Sequence, residues 1–211
     1  MLAIFDIDGT LRTVADPWIH LHRHLGTAER GEDFFRRWSS GEISYQQLSA
    51  LDASLWKGVR RSRMREALAS NPLRAGAKQL VNWFRLREIP CVGISTGLCV
   101  FNEVAKRELG LDEIITNELV FSGDICTGAV TVNVEEDSKG AILAMICQRY
   151  GCEPSSTIVF GDGPADRAMF AMARFSVAVF PRSPELAAEA SLVVATEPID
   201  RACEPLLARL M

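Results

Sequence analysis

The chain lacks most of the features that would mark it at once. Its six cysteines (91, 99, 126, 147, 152 and 203) include no Cys-x-x-Cys pair, and its three histidines sit together at 20, 22 and 24. Cys147 and Cys152 with those distant histidines make a poor zinc set, and the spacing is not that of a small disulfide-stapled secreted domain. Reduced, mostly buried thiols are expected. No run of about 18 apolar residues is present, which excludes a membrane-spanning helix. The first apolar stretch begins at residue 2, leaving no space for the basic and apolar regions of a secretory signal, so a cytoplasmic location is expected. Basic charge is not in excess either. Lys and Arg number 23 against 27 Asp and Glu, a net charge of −4, which gives no support for nucleic-acid binding through bulk electrostatics. An anionic ligand must then be held by local cations and backbone N–H groups. Internal repeats and low-complexity segments are missing, and nothing specifies an oligomeric state.

What is present is globular: 48% hydrophobic and 24% charged residues, with mean hydropathy +0.08. At 211 residues one core domain with a smaller insertion is the natural organisation. Leu2 to Phe5 has the length and composition of a buried parallel strand. It runs into Asp6-Ile7-Asp8-Gly9-Thr10, so two carboxylates stand at the strand's carboxyl end, the edge where open α/β sheets bind ligands. Two acids this close repel unless a cation lies between them, and a divalent metal is the natural partner.

After Leu11 the pattern turns helical for about sixty residues. Asp16-Pro17 is a helix start, with Trp18, Leu21 and Leu25 on one stripe. Ser44 and Gln47 form a capping box for a helix through Leu48, Leu51 and Leu55. Arg60, Arg61, Arg63 and Arg65 follow, read as a solvated helix face. The alternating histidines spread over different helix faces and are likewise read as solvated. Residues 13–72 are therefore expected to form a small all-helical domain inserted into a core of residues 1–12 and 73–211. From Arg74 the α/β alternation resumes. Cys91 to Ile94 is a strand ending in Ser95-Thr96-Gly97; Ile114 to Thr116 is a short strand; Leu119 to Phe121 and Gly128 to Val134 form a β-hairpin. Asp137-Ser138-Lys139-Gly140 opens a helix, and Thr157 to Phe160 runs into Gly161-Asp162-Gly163-Pro164-Ala165-Asp166. Two short strands and a terminal helix from Pro198 complete the chain.

Three strands thus deliver Asp6 and Asp8, Ser95 and Thr96, and Asp162 and Asp166 to one sheet edge, with Lys139 at a helix start nearby. Carboxylates without His or Cys favour a hard, oxygen-loving ion, magnesium being the commonest. A lysine and a hydroxyl beside it suit a phosphoryl group. One carboxylate can attack phosphorus to form an aspartyl-phosphate; another can protonate the leaving group and then activate water.

The series D-x-D-G-T, S-T-G, Lys and G-D-G-x-x-D, in this order, resembles the four motifs of the haloacid dehalogenase superfamily. Nearly the whole chain is similar to its phosphoserine-phosphatase-like subfamily, including Thr116-Asn117-Glu118-Leu119-Val120 before the hairpin turn. The resemblance implies a Rossmann-like α/β fold, a parallel sheet with helices on both faces, with the helical insertion as a C1 cap after the first strand and a β-hairpin. It implies Asp6 as nucleophile, Asp8 as general acid and base, and Ser95, Thr96, Gly97 and Lys139 around the phosphoryl group. Mg²⁺ would be held by Asp6, Asp162 and the Asp8 carbonyl, with Asp166 orienting the metal's water ligands. The activity implied is Mg²⁺-dependent hydrolysis of a small phosphate ester.

The departures concern the substrate. Where phosphoserine phosphatases place a cap glutamate and a cap arginine, this chain has Ala15 and Asp52, and a carboxylate at that place repels a substrate carboxylate. Asp52 and Trp56, one turn apart, suggest a cationic or hydroxylated leaving group instead, with an amino-alcohol or sugar phosphate as the alternative ester. Arg12 or the Arg60–Arg65 run are the remaining cations that could replace the missing arginine. A phospho-ligand-binding protein with weak turnover is a second class, disfavoured by the presence of both Asp6 and Asp8. A phosphotransferase or mutase differs only in the acceptor.

Overall fold

The computed structural model describes residues 1–210. Its centre is β1 (Leu2–Phe5), flanked by β2 (Cys91–Leu98) and β5 (Thr157–Gly161). β3 (Glu113–Ser122) and β4 (Ile125–Thr131) continue outward from β2, and β6 (Phe175–Val179) and β7 (Leu192–Val194) from β5. Every pairing is parallel except the β3–β4 hairpin at one edge. Phe5 is level with Gly93 on one side and Phe160 on the other, so the motifs that follow these strands emerge side by side. Winding reverses between β1 and β5, which makes this the crevice where ligands of open α/β sheets bind.

Strand periodicity assigns the two faces. Ala3 and Phe5 meet α5 (Ala77–Arg85), α6 (Cys99–Leu109) and α10 (Ile199–Leu207) through Leu80, Phe84, Ala105 and Leu206. Phe5 stacks on Phe160 at 4.7 Å, and Phe84 meets both rings edge-on, a geometry that adds to area burial. Leu2 and Ile4 face α7 (Lys139–Arg149), α8 (Arg167–Met172) and α9 (Pro184–Glu189) through Leu143, Ile146, Phe170 and Leu186. All these side chains are buried, so β1 reads as an unbroken apolar run because both of its faces are covered.

Between β1 and α5 lie α1 (Pro17–Leu25), α2 (Ala28–Ser39), α3 (Tyr45–Leu55), α4 (Arg61–Arg65) and a 3₁₀ turn over Glu66–Ser70. Asp16 caps α1 through the Ile19 N–H at 3.0 Å, and the Ser44–Gln47 capping box forms as the sequence predicts. Leu21, Ala53, Trp56 and Met64 of these helices pack on Leu98, Phe101, Leu119 and Cys126. The insertion therefore shares its main core with α6 and the hairpin.

Three local expectations differ. β2 continues through Ser95-Thr96-Gly97 to Leu98, with a register shift after Ile94. The short strand at Ile114 and the first hairpin strand are one strand, β3. Asn117, which intrinsic propensity places in a turn, is held in β3 by tertiary bonds. Its amide donates to the Thr96 and Val134 carbonyls and accepts the Asn133 and Val134 N–H groups. His22 is buried and not solvated. All six cysteines are free, five of them buried. Among the described residues no helix is long and apolar enough to cross a membrane.

Candidate active site

Asp6 leaves the end of β1 with its carboxylate almost fully buried. Its Oδ1 accepts from Lys139 Nζ at 2.8 Å and its Oδ2 from Thr10 Oγ1 at 3.1 Å. Lys139 also donates to Asp166 Oδ1 at 2.7 Å. A lysine in the first turn of α7 opposes the helix dipole; here two carboxylates hold it. Burial alone would lower its pKa, but Asp166 and Asp6 together raise it, so it remains a fixed cation. Asp166 is engaged through both oxygens: its other oxygen accepts the N–H groups of Asp162 and Gly163 at 2.9 and 3.0 Å. Both Asp162 oxygens are also engaged. Thr10 Oγ1 lies 3.4 Å from Oδ1, and Arg182 Nε donates to Oδ2 at 2.5 Å.

The turn between these groups requires glycine. Gly9 has φ +86°, and a Cβ there would stand 2.2 Å from Asp162 Oδ2. Gly97 is the second such place, since its Cβ would fall 2.2 Å from Asp8 Oδ2.

Oxygens of Asp6, Asp162 and Asp166 all lie within 4.8 Å of one another. Burial, followed by the charge of Asp6, pushes Asp162 up to about 8. Burial raises Asp6 too, against the pull of Lys139. The two cations nearby therefore leave negative charge uncompensated. A buried, all-oxygen acidic set with residual negative charge fits a hard divalent cation.

Asp8 stands apart from this cluster. Its Oδ2 accepts from Ser95 Oγ at 2.8 Å, while its Oδ1 is buried without a hydrogen-bond partner. Burial and the neighbouring Asp6 charge push it up to about 7, the value suited to a group that gives and takes a proton near neutrality.

A family model described as haloacid dehalogenase-like hydrolase matches residues 3–171 of the chain, which spans every one of these groups except Arg182. The chain belongs to the haloacid dehalogenase-like hydrolase family. Among curated relatives, a phosphoserine phosphatase from Wolinella succinogenes is 29% identical over 92% of this chain and 93% of its own length. A phosphoserine phosphatase from Archaeoglobus fulgidus is 28% identical over 84% of this chain, which spans about half (52%) of that relative. Among solved structures, a phosphoserine phosphatase carrying a phospho-aspartyl intermediate analogue superposes with TM-score 0.79 at 24% identity, covering 97% of both chains. A probable phosphoserine phosphatase from Vibrio cholerae reaches 0.83 at 24% identity, over all of this chain and 67% of that one. At these identities the structures attest the fold.

Within this haloacid dehalogenase-like hydrolase, the acids and Lys139 form the floor of a cavity of about 220 Å³ whose walls come from α1, α2 and α3. Asp6, Asp8, Lys139, Asp162, Asp166 and Thr96 all line it. Ser95 and Gly97 do not. Ser95 is fully buried, and its hydroxyl, accepting from the Gly97 N–H and Asn102 Nδ2 and donating to Asp8, has no valence left for a phosphoryl oxygen. It holds Asp8 from below. The Thr96 carbonyl collects Trp18 Nε1 at 2.9 Å, Asn117 Nδ2 at 2.9 Å and Tyr45 Oη at 3.3 Å, tying α1 and α3 to β2. Asp52, expected on a helix as a substrate-facing acid, lines the cavity and is buried. Trp56 does not accompany it, being wholly buried behind Trp18 and His22.

The cations named as replacements for the missing arginine lie elsewhere. Arg12 is buried on Asn71 O and Glu108. Arg61 and Arg65 are half-buried on Glu103, and Arg60 and Arg63 face Asp124 and Glu66. Arg182 and Asn102 escape sequence reasoning, as do the roles of Thr10, His22 and the aromatic wall. Arg182 follows the carboxyl end of β6, so the edge rule that selects Asp6 also selects it. Thr10 lies in the D-x-D-G-T motif; the roles of the others carry no local signal.

Proposed function

We propose that the chain is a Mg²⁺-dependent phosphomonoesterase that works through an aspartyl-phosphate on Asp6, with residues 13–72 as its cap domain and residues 1–12 and 73–211 as its core domain. The observation that carries this is the division of labour between the two acids of D-x-D. Asp6 belongs to the charged cluster on the cavity floor, while Asp8 is held outside it by Ser95 with a pKa pushed up to about 7.

Asp6, Asp162 and the main-chain carbonyl at Asp8 are the groups that would hold the metal. Bound there, it supplies positive charge that lets an anionic carboxylate approach an anionic phosphate. A carboxylate oxygen of Asp6 attacks phosphorus; the bond to the alcohol oxygen breaks, and Asp8 gives that oxygen its proton. Asp8, now ionised, takes a proton from water as the water attacks the aspartyl-phosphate. Inorganic phosphate leaves and Asp6 is regenerated. Lys139 keeps Asp6 aimed and neutralised throughout, and Asp166 keeps Lys139 in place. The cap closes the cavity and limits water. The substrate's size is bounded by the cavity, which falls below the range for drug-sized ligands. A small-molecule ester as the ligand, without nucleic acid, and a cytoplasmic setting fit the acidic net charge and the six free thiols.

The test is phosphate release from a panel of small phosphomonoesters, with Mg²⁺ and with EDTA. Release that needs Mg²⁺ and vanishes in Asp6→Asn is expected. Release unaffected by either change would overturn the assignment.

A further inference from the structure

The cavity has a second end, and its chemistry is that of a cation receptor. Its cap wall holds Trp18, Phe35, Trp38 and Tyr45. Trp38 meets Phe35 at 5.3 Å and Tyr45 at 6.0 Å, and Trp18 stacks on the buried Trp56 at 5.7 Å. The polar tips of Trp18 and Tyr45 are both committed to the Thr96 carbonyl, which leaves ring surface to meet a ligand. Three acids accompany the rings on the cavity wall: Asp16, Asp52 and Glu136.

Asp52 is only 4% exposed and lacks a completed hydrogen bond at Oδ1. His22 Nε2 stands 3.0 Å from it, at ion-pair distance but off the N–H direction. Trp56 Nε1 donates to Thr27 Oγ1, which meets His22 Nδ1 at 2.8 Å, so the imidazole is fixed in place behind Asp52. Asp52 is thus a built element of the wall, steadied from behind.

No cap cation lines the cavity. The two cations that do, Lys139 and Arg182, come from the core. Lys139 is locked between Asp6 and Asp166, and Arg182 lies on Asp162, so both belong to the phosphoryl end. A carboxylate on the leaving group would meet aromatic faces and three acids. An ammonium group would meet both of its preferred partners, π faces and carboxylates, with Asp52 the buried acid among them.

We propose that the substrate is the phosphate ester of an amino alcohol, carrying an ammonium and no carboxylate, with Asp52 and the aromatic wall as its selector. This rests on the phosphatase reading and sets the chain apart from the phosphoserine phosphatases it is similar to.

The experiment compares kcat/KM for phosphoethanolamine, phosphocholine, L-phosphoserine and glycerol 2-phosphate. One or both cationic esters are expected to exceed glycerol 2-phosphate by about tenfold or more, with phosphoserine below them by a similar factor. Asp52→Asn, nearly isosteric, should lower the ratio of the preferred cationic ester to glycerol 2-phosphate by about tenfold. If that variant fails to fold, Asp16→Asn serves, because asparagine caps a helix as well as aspartate does and only the charge is lost; there the ratio should fall about threefold. Equal efficiency across the panel, or a phosphoserine preference lost in Arg182→Ala, overturns the inference and leaves the phosphatase standing. If no ester is hydrolysed, the phosphatase reading fails by itself. Calorimetric binding of the same four compounds to Asp6→Asn protein then still ranks them, and a ranking without a cationic preference overturns the selector.

Discussion

The floor and the wall of the cavity solve opposite electrostatic problems. On the floor, Asp6, Asp162 and Asp166 crowd around Lys139 and Arg182, and nearly every polar atom has a partner drawn from β1, β5, α7 or the loop after β6. The wall is mostly apolar ring surface with few polar contacts, and its buried acid, Asp52, is left with an incomplete valence. Transferring a phosphoryl group needs charges fixed in advance, because reorganising them during the reaction would cost the energy they supply. Holding a small leaving group needs shape and sign, which rings and one charge can give. The floor should therefore tolerate no change, and the wall should convert changes into selectivity.

The largest effect should come from Asp6→Asn. Turnover is expected to fall by at least about a thousandfold, with circular dichroism and melting temperature preserved, since a charge is removed from an acid-rich cluster. Activity near wild type would refute the nucleophile.

Lys139→Ala should lower kcat by about a hundredfold or more and cost about 3 kcal/mol of stability, because Asp6 and Asp166 lose their shared buried partner. Denaturant unfolding checks the second part. A variant as stable as the parent would show that the floor is not a coupled unit.

The floor should also declare itself through pH. Folding holds Asp8 up at about 7 and Asp162 up at about 8, from 3.8, so their neutral forms stabilise the fold. That contribution is complete below about pH 4 and is lost as pH rises through 7 and 8. In EDTA the melting temperature should fall by about 5 °C between pH 5.5 and 8.5. Mg²⁺ should restore more at the higher pH, because it takes the place of the proton on Asp162. A melting temperature in EDTA that climbs over this range would contradict the sign.

On the wall, Tyr45→Phe removes one 3.3 Å bond to the Thr96 carbonyl, which keeps two other donors. A loss of about 0.5–1 kcal/mol is expected, with kcat changed less than about threefold and KM rising for the preferred ester.

The smallest effect concerns neither region. Burial pushes Cys91 and Cys203 up to about 12 and Cys99 up to about 11, so their thiolates are scarce at pH 8. Iodoacetamide should modify Cys152, the half-buried thiol, and leave the native protein active.

The floor was legible in the sequence because each of its acids follows an apolar strand or opens a helix at a fixed offset. A parallel sheet then brings such positions to one edge whatever lies between them. Asp6, Asp8, Lys139, Asp162 and Asp166 were all nameable on that ground. Ser95 shows the limit. The pattern brings it to the right edge, yet Asn102 from α6 and the Gly97 N–H fill its hydroxyl and turn it into a support for Asp8. Asn117 shows another, a turn former carried into a strand by five tertiary bonds.

By itself, the sequence determined the α/β alternation, the place of the helical insertion, the capped starts of α1 and α3, and the acids that gather at the sheet edge. These follow from periodicity and from short-range chemistry, which local residues decide. Tertiary structure alone decided that His22 turns inward to back Asp52, that Arg182 closes on Asp162, and that four aromatic rings from three helices face one cavity. Such contacts join residues far apart in the chain, through packing that no local pattern encodes.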